Sequence, residues 1–91
     1  MNEGIKELKN KLEKIGDEYV SIGIDGNGIM INHIVHGYGI KIEEDDIMIY
    51  DDNFHASLPV DDQTKCVKSC FSLGYIIVGK GFQLHIDWLG T

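Results

Sequence analysis

Cys66 and Cys70 lie four residues apart. On a helix this spacing puts both thiols on one face, where His55 or His85 would extend them into a zinc site. Structural zinc sites set their paired cysteines around a knuckle. The spacer here, Val-Lys-Ser, reads as helix, and two small core thiols account for the pair. A nucleophilic cysteine with His85 as its base is the other chemistry open to these residues. Nothing local is expected to lower a thiol pKa.

His33 and His36 are three apart in a strand-like segment, so their side chains point to opposite faces and cannot share a metal. His33 falls on the face of Ile29, Ile31 and Val35, and His36 beside a turn. Gly74 to Lys80, GYIIVGK, matches seven positions of a phosphate-binding loop. Gly81 replaces the Ser or Thr that would hold magnesium, and the Tyr-Ile-Ile-Val interior favours strand, so a β-hairpin is expected. Asp25-Gly26-Asn27-Gly28 resembles the start of a calcium loop, but His36 stands at the twelfth position where a bidentate glutamate belongs. A hairpin turn is expected there too. No enzyme activity, cofactor or metal site is expected.

Charge is the informative feature. The chain carries 15 acidic residues against 8 basic ones, all lysine, for a net charge of −7. Between Glu43 and Asp62 stand eight carboxylates and no lysine: Glu43, Glu44, Asp45, Asp46, Asp51, Asp52, Asp61 and Asp62. The other 71 residues sum to +1. Turns and helix starts favour Asp, and acidic edges deter aggregation, so solvation alone accounts for such a block. The sharper reading is a negative surface that docks on a positive one, since such fields speed association and select partners. Nucleic-acid-binding grooves are the richest source of positive surface. The expected partner is therefore a protein with a basic nucleic-acid groove, blocked by a nucleic-acid mimic. The eight carboxylates would make the contact, with Tyr50 and Phe54 as aromatic anchors. This depends on the clusters converging. Turns at alternate ends of a meander lie a strand length apart, roughly 15–20 Å.

The acidity argues against direct nucleic-acid binding and against attraction to anionic membrane. No stretch approaches the roughly 18 apolar residues of a membrane span. The N-terminus lacks a signal-peptide apolar run and two cysteines make no disulfide framework, so a cytoplasmic setting in a bacterial host cell is expected. The absence of Arg, with Ile- and Lys-rich usage, suggests an AT-rich genome.

Elements must position these residues. Ninety-one residues, 43% hydrophobic and 25% charged, make one α+β domain spanning 1–91. Ile5, Leu8, Leu12 and Ile15 mark an amphipathic helix over 2–15, with Gly16 as its αL cap. Val20, Ile22 and Ile24 then alternate as a strand. Residues 29–36, apolar on both faces, suit a central strand. Short strands follow near 40–42 and 47–50, then an irregular stretch over 51–59. Asp61 or Asp62 is placed to cap a second helix over 61–73, carrying Val67, Cys70 and Phe71 on one face and ended by Gly74. Strands at 75–78 and 82–88 close the chain. The expected order is α-β-β-β-β-α-β-β, an antiparallel sheet of about six short strands with both helices packed on it.

In size, acidity and this plan the chain is similar to small phage-encoded anti-CRISPR proteins and to bacterial toxin-immunity proteins. The likeness lies in overall properties and carries over no site residue. An immunity protein for a cognate toxin would use the same mechanism with another partner. Two alternatives differ in class: a homo-oligomeric structural or interaction module pairing through an edge strand, and a small-molecule sponge built on His33, His85 and the cysteines.

Overall fold

The computed structural model describes residues 3–15, 17–51, 54–68 and 74–88. Helix α1 (Glu3–Ile15) is followed by strands β1 (Tyr19–Gly26) and β2 (Ile29–His36), a short 3-10 turn at Gly37–Gly39, and strands β3 (Ile40–Ile42) and β4 (Asp46–Asp51). Strands β5 (Phe54–Pro59), β6 (Lys65–Lys68), β7 (Gly74–Gly79) and β8 (Phe82–Trp88) complete the chain. The α+β class is as expected, but the strands form two antiparallel sheets rather than one. Five lie in the order β2-β1-β8-β7-β6 and three in the order β3-β4-β5.

Alternation sets the layers. Val20 and Ile22 of β1, Leu84 and Ile86 of β8, and Tyr75 and Ile77 of β7 point to one face of the large sheet and are buried. Ile40, Ile42, Ile47 and Ile49 of the small sheet and Ile5, Leu8 and Leu12 of α1 join the same core cluster. The helix and the small sheet together cover that face. The apolar stripe of α1 is the one its spacing predicts. Gly16, its expected cap, lies outside the described residues.

Gly4 lets α1 close on β6: a Cβ there would run into the carbonyl oxygen of Cys66. One turn further on, Lys68 Nζ lies 2.8 Å from Glu7 Oε1, and the Tyr75 hydroxyl donates to the same oxygen at 3.1 Å. The Lys68 contact is the main reason the Glu7 carboxyl falls below its ordinary value of 4.5; burial opposes it and Tyr75 adds to it.

Three further expectations are corrected. The described part of the expected second helix, residues 61–68, is not helical: Lys65–Lys68 is strand β6, with Cys66 opposite Ile77 and Val67 opposite Ile76 on β7. Asp61 does act as a cap, but for a turn. Its Oδ1 accepts the Gln63 N–H at 2.8 Å and the Thr64 hydroxyl at 3.2 Å, while Thr64 Oγ1 accepts the Asp61 N–H at 3.0 Å. The turn delivers Cys66 and Val67 to a waiting strand edge, and pairing outweighs a short helical period. Cys70, Phe71 and the remainder of that expected helix, 69–73, lie outside the described residues. The second correction is β2, which is not central but the terminal strand of the large sheet. The stretch 54–59, expected to be irregular, pairs with β4 as β5.

Two outcomes are expected. Gly4→Ala lowers stability by about 1–3 kcal/mol in urea unfolding, although alanine in an open helix would raise it by roughly 1 kcal/mol. Glu7→Gln lowers the melting temperature at neutral pH. A depressed carboxyl stabilises the fold above its unfolded pKa, and this is lost as pH falls through the folded value. Thermal scans of the two proteins therefore converge in acid, below Glu7's ordinary 4.5.

Candidate functional site

The antiparallel register of β4 and β5 sets Asp46 opposite Pro59. The connection that precedes β4 and the one that follows β5 therefore meet at one end of the small sheet. Backbone bonds tie them: the Val60 N–H donates to the Asp45 carbonyl at 2.9 Å, and the Glu43 N–H to the Asp46 carbonyl at 2.8 Å. Glu44, Asp45, Asp61 and Asp62 share the walls of one shallow cleft with Ile5 and Thr64. Glu43 and Asp46 line the adjoining depression beside Lys9. Glu43, Glu44, Asp45, Asp61 and Asp62 are exposed and Asp46 is half-buried. Six carboxylates from two stretches of chain thus gather at a single end.

Asp51 is at the other end of β4, roughly 16 Å from Asp46 at the rise of an extended strand. Its carboxylate faces β2: Oδ2 accepts the His36 N–H at 3.2 Å, and Oδ1 lies 3.4 Å from His36 Nδ1. Asp52 lies outside the described residues. Tyr50, 65% exposed, stacks on His55 with ring centres 4.2 Å apart. It stands on the outer face of the small sheet with Met48 and Lys41. Phe54 is half-buried and stacks on His33 at 4.8 Å, closing the seam between the sheets. Of the two aromatic residues, Tyr50 is the one presented to solvent.

The other chemical candidates are dispersed. Burial pushes the Cys66 thiol up to about 11, with the charge of Glu7 adding to the shift. Such a thiol is protonated at neutral pH and a poor nucleophile. Cys66 faces the core side of the large sheet, His85 its outer face, and His55 the small sheet. Among the described residues no three His, Cys, Asp or Glu side chains are grouped to hold a metal ion. The phosphate-loop match is strand β7 and a two-residue turn at Lys80-Gly81. Asp25-Gly28 is a hairpin turn, with Asn27 at φ 53° and Gly28 at φ 77° as a type I′ turn requires. No helix among the described residues is long and apolar enough to cross a membrane.

Two features escaped the sequence reading. Among the described residues nothing covers the outer face of the large sheet, which holds a depression over Gly23 walled by Ser21, Asp25, Met30, Asn32, His85 and Asp87. Strand β2 exposes Ile29 (62%), Met30 (66%), Ile31 (41%) and Ile34 (55%). The signal was present, since a strand apolar on both faces is either central or an unprotected edge.

Asp51→Ala removes the acceptor for the His36 N–H and should lower stability by about 1–3 kcal/mol in denaturant titration. Asp45→Asn and Asp62→Asn should leave stability within about 0.5 kcal/mol of the parent. Compared with protein-family models, with curated proteins and with solved structures, the chain gives no match.

Proposed function

We propose that this protein is a small acidic module that docks its Glu43–Asp46 and Asp61–Asp62 end onto the basic nucleic-acid groove of another protein and blocks it. The observation that carries this is the meeting of those six carboxylates at one end of the small sheet. They account for all but one of the net negative charges of the chain. A patch this dense is felt over about a Debye length, roughly 8–10 Å at physiological salt. It steers encounter toward cationic surfaces and repels anionic ones, nucleic acid included. Carboxylates a few Å apart offer Lys and Arg the charge-assisted bonds that phosphates offer. Tyr50 is exposed on the outer face of β4 but stands four residues from Asp46, roughly 13 Å along the strand, so it adds aromatic contact area only for a partner that extends from the charged end along that face. Asp51 is engaged with His36 and belongs to the scaffold in this reading. Inhibition of a nucleic-acid-handling enzyme and neutralisation of a cationic toxin are two settings for the same contact.

The test is affinity capture from bacterial lysate at low and at high salt. The wild type is compared with Glu43→Gln/Glu44→Gln/Asp45→Asn/Asp46→Asn/Asp61→Asn/Asp62→Asn. A control variant, Asp17→Asn/Glu18→Gln/Asp25→Asn, removes three exposed charges elsewhere. Wild type and control should retain a nucleic-acid-handling protein at low salt, and added duplex DNA should displace it. The six-fold variant should lose it, with affinity down by about tenfold or more. Equal retention by the six-fold variant, or binding indifferent to salt and DNA, overturns the reading.

A further inference from the structure

Among the described residues, strand β2 pairs with β1 on one side and with no strand on the other. The type I′ turn fixes which of its backbone groups are used. Gly26 and Ile29 close the hairpin, so Ile29, Ile31, His33 and Val35 exchange hydrogen bonds with β1. The N–H and C=O groups of Met30, Asn32, Ile34 and His36 then point away from it. The same parity is visible at His36, whose N–H is taken by Asp51 from outside the sheet. That leaves an outward row at Met30, Asn32 and Ile34.

The other edges are guarded. Strand β6 carries exposed Lys65 and Lys68 within its four described residues. Strand β3 has three, with Lys41 outward and α1 against it. Strand β5 ends at Pro59. Lysine, proline and shortness are the usual defences of an edge. Strand β2 has eight residues, no Asp, Glu or Lys, and four exposed apolar side chains.

We infer that β2 pairs antiparallel with β2 of a second copy about a two-fold axis at Asn32, joining two five-stranded sheets into one of ten. This goes beyond the proposed function and uses a different surface. Two chains of charge −7 repel, and β2 is a long uncharged stretch by which they can approach. The axis follows from the outward row. Centred on Asn32, Met30 faces Ile34 of the copy, Ile34 faces Met30, and all three outward residues are bonded, with about six backbone hydrogen bonds. Ile31 then meets His33, and Ile29 meets Val35. Centring on His33 would require the His36 N–H, already held by Asp51. Centring on Ile31 would leave Ile34 unpaired. The exposed apolar area is on the order of a few hundred Å² per copy, so the dimer is a weak, concentration-dependent one.

Sedimentation velocity from about 1 to 300 μM tests this. Wild type should shift from monomer to dimer with a micromolar midpoint. Met30→Lys alone and Ile34→Glu alone should each stay monomeric, raising the midpoint by about tenfold or more. An equimolar mixture of the two should dimerise again, because the introduced lysine of one copy then faces the introduced glutamate of the other. Both side chains are more than half exposed, and circular dichroism should show each variant folded. A wild type that remains monomeric, a dimer that survives either substitution, or a mixture that fails to recover overturns the inference.

Discussion

The fold depends on one constraint: a five-stranded sheet has two faces, and among the described residues apolar cover lies on only one. The helix and the three-stranded sheet supply that cover, and nearly all the buried apolar side chains belong to a single cluster between the layers. Alternation then fixes the rest. Once Val20, Ile22, Leu84 and Ile86 face the core, Ser21, Gly23, His85 and Asp87 must face outward. The depression over Gly23 and the open flank of β2 follow from the same parity.

What was legible in the sequence was local. The stripe of α1 and the Asn27-Gly28 turn are set by spacing within a few residues, and so is the 82–88 alternation. What was not legible depends on a partner strand. Cys66 and Val67 suit a helix face or a strand, and the edge of β7 decides between them. The apolar content of β2 suits a centre or an edge, and the order of strands decides that. The acidic site was half legible: the carboxylates are plain in the sequence, but their grouping is not. Asp61 and Asp62 reach Glu44 and Asp45 only through the β4–β5 register, fifteen or more residues apart in the chain.

The two proposed surfaces differ in physics. The acidic end acts at a distance, weakens with salt and gains from a cationic partner. The β2 edge acts on contact, through backbone bonds and apolar area, and gains from salt, which screens the repulsion between two chains of charge −7. They do not compete for residues. Burial of one leaves the carboxylates of the other free, so self-association and partner binding are compatible in one molecule.

Asp51 connects the two. It lies in the acidic stretch, yet its neighbours set it to different work. Turn carboxylates at Glu43–Asp45 have water around them, whereas Asp51 ends a strand beside the outward N–H of His36. An edge N–H with a carboxylate acceptor is unavailable to another strand. Asp51 therefore withdraws its own charge from the docking end and also closes one end of the open β2 row. Because the row stops at Ile34, self-pairing has one register that uses all its members, and the axis falls at Asn32. A single side-chain contact between the sheets thus bounds both surfaces.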